Sequence, residues 1–257
     1  MKFGFTNLSI IPVRAENREQ SEMVTQLLFG DIFTVLTEKK NWLEIQIDAD
    51  DYVGWIDKTM FFQISDSQFS QIKHSKLVYN KNLVCYLKSD SECIHLVRGT
   101  AFSQIENNQV IIGDKDYRVE QFETVEGKNI RKEIVEVSES YLSTPYLWGG
   151  KNPFGIDCSG FSQMVYKING MQIPRDASQQ VSLGQSRNFI EEAEPGDLAF
   201  FDNDEGRVIH VGLVLEGRRI IHASGQVRID KLDHQGIFNV DQKVYTHKLR
   251  VIQNLLD

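Results

Sequence analysis

Cysteine is scarce in this chain. Only Cys85, Cys93 and Cys158 occur among 257 residues, and an odd, low count suits a reducing compartment. None belongs to a CxxC pair or to a Cys/His cluster of zinc spacing, so a structural metal is not expected, and no cofactor either. Long apolar runs are also missing: nothing approaches the roughly 18 consecutive residues that a membrane helix needs. The opening residues, MKFGFTNLSIIPVRAENREQ, carry one lysine and a broken apolar run without a small-residue cleavage site. No secretory signal is read there, and the cytoplasm is the expected compartment. Positive charge is in deficit, 28 Lys and Arg against 36 Asp and Glu, for a net charge of −8. That balance argues against a nucleic-acid partner, which requires a basic surface. No phosphate-cradling loop and no amphipathic membrane helix stands out.

What is there is an ordinary globular composition, 41% hydrophobic and 25% charged. The length allows one large domain or two to three small ones. The chain is organised around Ile156-Asp157-Cys158-Ser159-Gly160-Phe161. Phe161, Met164, Val165 and Ile168 follow at helical spacing. Asp157 or Ser159 is a natural cap for that helix, which places Cys158 at or near its N-terminus. Free N–H groups and the positive dipole end favour a thiolate there. Each unit of pKa depression is about 1.4 kcal/mol, and a helix end supplies roughly 0.3–1 kcal/mol. A nearby histidine is therefore required.

Ahead of this helix the chain reads as short strands. Ser9–Arg14, Gln26–Asp31 leading into Ile32–Leu36, the alternating Trp42–Ile47 and then Tyr52–Ile56 predict a small β-barrel. Phe62 to Ser75 reads as a connector. Leu83–Leu87, Gln109–Gly113 and Tyr117–Val119 are further strand candidates. Cys85 and Cys93 lie in apolar segments and read as small buried hydrophobes, with a Cys85–Cys93 disulfide as the alternative. Residues 130–142 put Ile130, Ile134, Val137, Tyr141 and Leu142 on one helical face, with Pro145 as the stop.

After Pro195-Gly196-Asp197 the pattern turns to strands: Leu198–Phe201, Ile209–Leu215, Ile220–Ser224, Val227–Ile229 and Lys248–Ile252. Helices followed by an antiparallel sheet predict an α+β fold. A hairpin turning at residues 216–217 pairs position 210 with about 222 to 224, and directly opposed Cβ atoms lie about 4.5–5.5 Å apart. His210 and His222 then share one sheet face. Taken singly, each residue has a plainer reading. A strand histidine is more often a satisfied structural group, and a cysteine opening a helix is more often just buried. A cysteine, a base histidine and a polar orienter together follow the logic of papain-like catalysis.

The segments PYLWGGKNPFGIDCSGF, RDASQQ, PGDLAFF and IHVGLVL…IIHASG resemble the NlpC/P60 cysteine peptidases, in order and spacing. The run from PVR through WLEIQI to DYVGWI resembles a bacterial SH3-like domain. As a whole the chain is similar to the γ-D-glutamyl-L-diamino acid endopeptidases, which cleave murein peptides between D-Glu and diaminopimelate or lysine. The resemblance implies a papain-like catalytic domain at 128–257, an SH3-like barrel at 1–65 and a diverged second one at 66–127. It implies Cys158 as nucleophile, His210 as base and later acid, and His222 as the orienting residue. The chemistry of those roles makes the Cys158 N–H and the Tyr146 hydroxyl candidates for the oxyanion and Trp148 a candidate pocket wall, while Asp157 and Ser159, flanking the nucleophile, are candidates to line the site, with helix capping as the alternative. Asp176 would bind the free amine of an N-terminal L-Ala, with Tyr52 and, secondarily, Glu22 supplied by the SH3-like domain. Ala177 stands where such proteins often carry Ser. A free-amine murein tripeptide is the expected ligand. A secreted wall hydrolase and a non-catalytic wall-peptide binding module are the alternatives.

Overall fold

The computed structural model describes residues 1–103 and 105–256. The chain divides into two compact units, Met1–Val125 with Gly170–Gln172, and Glu126–Asn169 with Ile173–Asp257.

In the first unit, β1 (Lys2–Phe5), β2 (Ile10–Arg14), β3 (Met23–Leu28), β4 (Ile32–Lys39), β5 (Trp42–Ile47), β6 (Val53–Asp57) and β7 (Phe62–Ile64) form one barrel-like sheet. Its order is β3-β2-β6-β5-β4-β1-β7. The alternation in β5 has a direct cause in burial: Leu43, Ile45 and Ile47 point into the core while Trp42, Glu44 and Gln46 stay half-exposed. With Ile11, Val13, Leu27, Phe33 and Ile56 they make an apolar centre, each side chain contributing about 1.5–3 kcal/mol by burial. Phe62 to Ser75 is more than a connector. β7 pairs with β1, and Ser65 then starts α1 (Asp66–Lys73) with a reciprocal capping box to Gln68.

The remaining strands of this unit are β8 (Val78–Tyr79), β9 (Val84–Lys88), β10 (Cys93–Val97), β11 (Ala101–Phe102), β12 (Gln109–Ile112) and β13 (Lys115–Glu120). They form a four-stranded sheet, β10-β9-β13-β12, and a β11-β8 pair. Cys85 is buried, but Cys93 is exposed, and both thiols are free. The register explains this: Cys93 pairs with Lys88 while Cys85 pairs with Leu96. Three rungs separate the two cysteines, about 10 Å along the strand, beyond the span of a disulfide.

In the second unit, α2 (Ile130–Glu139) is capped by Asn129 and buries Ile134 and Val137. It stops at Ser140, well before Pro145, and Leu142 is exposed instead of facing inward. The hairpin β14 (Lys151–Asn152) and β15 (Gly155–Ile156) leads into α3 (Cys158–Ile168), and α4 (Ala177–Gln180) follows. Then come β16 (Gln185–Arg187), β17 (Leu198–Asp202), β18 (Val208–Leu215), β19 (Arg219–Ser224), β20 (Gln226–Asp233), β21 (Gly236–Asn239) and β22 (Val244–Asn254). The order is β16-β22-β17-β18-β19-β20-β21, and β22 also pairs with β21, so the strands from β17 to β22 close a ring. This is an α+β arrangement with α3 packed on β18 and β19. Among the described residues no helix is long and apolar enough to cross a membrane.

Candidate active site

Every residue of α3 is buried, so its first turn must find polar partners inside the protein. Asp157 provides them. Its Oδ1 accepts the Gly160 N–H at 2.7 Å and its Oδ2 the Gly149 N–H at 2.8 Å. Arg175, 1% exposed, donates to both carboxylate oxygens at 3.0 and 2.5 Å and to Ser159 Oγ at 2.8 Å. Asp157 and Ser159 thus hold the start of the helix. Gly160 is required by close approach: a Cβ there would lie 2.3 Å from the Gly150 carbonyl oxygen. Gln180 ties α4 to the same turn by donating to Ser159 O at 3.1 Å.

Cys158 is the first residue of α3 and is buried. Burial pushes its thiol up to about 11, and the charge of Asp157 acts in the same direction. Hydrogen bonds from the Val211 and Ser159 N–H groups and the charge of Arg175 oppose this without reversing it. Desolvation thus opposes the helix terminus at this sulfur, so the terminus alone does not make the thiolate. The bond to Val211 N–H sets the sulfur against the residue that follows His210.

His210 and His222 are joined by a 2.8 Å bond between His210 Nε2 and His222 Nδ1. The registers Gly212↔His222 and Leu213↔Ile221 make the two histidines diagonal neighbours, not directly opposed ones. The residue opposite His222 is Gly212, where a Cβ would lie 2.8 Å from the His222 Cβ. The missing side chain leaves room for the imidazole to lean toward His210. Burial, then the neighbouring His222 and His247, hold His210 well below its ordinary value, so it is a neutral base at neutral pH.

Two participants lie outside the sequence reading. Asp230 on β20 accepts from His222 Nε2 at 3.1 Å. The strand reading ended at Ile229, one residue short of it. Burial acts to raise Asp230, but hydrogen bonds from His222, Arg228 and the Val240 N–H hold it well below the usual carboxylate range. His247 on β22 stacks on His210 with ring centroids 4.2 Å apart and planes 24° apart. Burial and then the proximity of His222 pull His247 down to about 4. A bulge at Phe200/Phe201 in the β17–β22 pairing lies beside this cluster.

The other expected residues differ in burial. Tyr146 is half-buried, and burial, then the charges of Cys158 and Asp157, push its phenol up to about 12. It stays a hydrogen-bond donor at neutral pH. Trp148 is 60% exposed. Asp176 is the half-buried N-cap of α4, and Ala177 behind it is buried. Tyr52 and Glu22 belong to the first unit, where Tyr52 packs on the β-sheet core and Glu22 is exposed. Among the described residues no group of three or more His, Cys, Asp or Glu side chains is disposed to hold a metal ion. The arrangement is suited to proton transfer to and from a cysteine sulfur.

Both parts of the chain have known relatives. The NlpC/P60 family profile matches residues 143–247, and that of the bacterial dipeptidyl-peptidase Sh3 domain matches residues 13–60. The chain is 30% identical to a gamma-D-glutamyl-L-lysine dipeptidyl-peptidase of Bacillus subtilis, over 77% of this chain and 71% of the relative. It is 28% identical to dipeptidyl-peptidase 6 of Lysinibacillus sphaericus, over 86% of this chain and 88% of that one. A crystal structure of an NlpC/P60 family protein from Bacillus cereus superposes with a TM-score of 0.82 at 19% identity, covering 99% of this chain and 100% of the other.

Proposed function

The chain belongs to the NlpC/P60 family, and from that premise we propose that it is a cysteine endopeptidase acting on the γ-D-glutamyl-L-diamino acid bond of cell-wall peptides. The observation that carries the proposal is the alignment of a buried cysteine at a helix start, bonded to Val211 N–H, with the 2.8 Å His210–His222 pair. His210 takes the Cys158 proton as the sulfur attacks the carbonyl carbon. The negative charge moves to the carbonyl oxygen, to which the Cys158 N–H and the Tyr146 hydroxyl donate in this reading. Collapse of this adduct breaks the C–N bond, and His210 delivers its proton to the departing amine. Water then enters by the same base and releases the γ-glutamyl acid and the free thiol.

The names of the relatives support the bond class and a lysine at the acceptor position. Asp176, half-buried at the N-cap of α4, supports recognition of a free N-terminal amine. A substrate lacking that ammonium group forfeits an ion pair with the Asp176 carboxylate, and a site built for that pair discriminates against it. This reading favours free L-Ala-γ-D-Glu-diamino acid peptides, and hence a place in wall-peptide recycling. The test is mass spectrometry of digests of free and N-acetylated tripeptides. Cleavage of the free peptide between D-Glu and the diamino acid, with slow or no cleavage of the acetylated one, is the expected result. Equal rates would remove the amine requirement.

A further inference from the structure

Asp230 has no contact with the sulfur, yet the bonding around it is complete and one-sided. Among the described residues, the groups that reach its carboxylate besides His222 are all fixed N–H donors. Arg228 Nε and Nη2 bind Oδ2 and Oδ1 at 2.7 and 2.9 Å, Val240 N–H binds Oδ1 at 3.0 Å, and His222 Nε2 lies 3.1 Å from Oδ2. Asp230 is 1% exposed, and Arg228 is itself braced by Asp241 at 2.8 Å. An ionised carboxylate only accepts. The proton on His222 must therefore sit on Nε2.

The consequence runs down the chain of bonds. With Nε2 protonated, a neutral His222 presents a lone pair at Nδ1. The partner atom, His210 Nε2, must then be the donor across the 2.8 Å contact. A neutral His210 protonated at Nε2 carries its free lone pair on Nδ1, the nitrogen not tied to His222. We infer that Asp230, clamped by Arg228, is a positioning residue that selects the tautomers of His222 and His210 and so leaves the basic nitrogen of His210 free for the Cys158 proton. When His210 becomes an imidazolium, the carboxylate also stabilises the positive charge through His222. The inference rests on the cysteine-peptidase reading for its catalytic consequence, though not for the tautomers themselves.

The alternative amide at position 230 is mismatched in either orientation, since donors face both carboxylate oxygens. Turned with its NH₂ toward His222, it would reverse both tautomers and put a proton on His210 Nδ1. In the Ser-His-Asp triad, replacing the orienting Asp by Asn costs about 10⁴-fold in kcat. Asp230 acts one imidazole further away, so about 10²-fold is expected.

The experiment has two arms. Histidine ring ¹⁵N shifts in the unmodified protein at neutral pH should show His222 and His210 each protonated at Nε2. A His222 protonated at Nδ1 overturns the inference whatever the variants do. The Asp230→Asn protein should lose about 10²-fold in kcat at nearly constant KM, and rapid alkylation of Cys158 by iodoacetamide should move to higher pH. An Asp230→Asn protein with unchanged kcat and an unchanged alkylation profile overturns it too. If the unmodified protein shows both Nε2 tautomers but cleaves no γ-D-glutamyl peptide, the peptidase reading fails while the positional assignment stands.

Discussion

Replacing Arg175 by Met tests whether the α3 start depends on a buried ion pair. The guanidinium is 1% exposed and spans both oxygens of Asp157, itself 5% exposed, with a third bond to Ser159 Oγ. Met roughly preserves the volume of the stem but leaves the carboxylate with only its N–H donors from Gly149 and Gly160 and the weak Ser159 contact. Breaking such a pair from one side costs about 3–5 kcal/mol, because the surviving charge stays buried. For a unit of this size each kcal/mol corresponds to about 4 °C, so the expected fall is about 12–20 °C. Calorimetry, with the relevant transition identified by exposure of Cys158 to alkylation, measures it. The Asp157→Asn/Arg175→Met double variant should lose less than the sum of the two single losses, since neither charge is then left alone. A loss below 1 kcal/mol for Arg175→Met, or strictly additive losses, would refute the argument.

Three other outcomes are expected. Cys158→Ala and His210→Ala should each abolish peptide hydrolysis while circular dichroism stays unchanged; activity in pure Cys158→Ala would end the nucleophile assignment. Gly212→Val should cut kcat by at least tenfold, because a Cβ 2.8 Å from the His222 Cβ displaces that ring; unchanged kinetics would show that the strand yields. His247 titrates at about 4 in the folded protein and near 6.5 when unfolded, so the unfolded state binds more protons between those values. Its stabilising contribution is full above about pH 6.5 and is lost as pH falls through about 4. Urea midpoints should decline across that window, and His247→Asn should flatten the decline.

Some of this was open to a sequence reader because burial and chemistry are written locally. The β5 alternation, the apolar spacing of α3 and the hairpin joining β18 to β19 each depend on near neighbours. Asp230 and His247 were not legible, since their roles come from which strands lie side by side. Asp230 reaches His222 only because β20 pairs with β19, and His247 reaches His210 only through the return of β22. The desolvation of the Cys158 thiol is not legible for a related reason. A helix terminus is visible in sequence, whereas the desolvation that opposes it is a property of the packed interior. Cys93 was misplaced because an apolar segment does not reveal which of its two faces is covered.

The double pairing of β22 has a bearing on biosynthesis. Until Val244–Asn254 has left the ribosome, β17 and β21 present bare N–H and C=O edges, the kind of surface on which chains stick to one another. A nascent or truncated chain ending before residue 244 would already hold Cys158, His210 and His222, yet lack the stave that joins the two open sides. The ring of strands can therefore close only once β22 has been made.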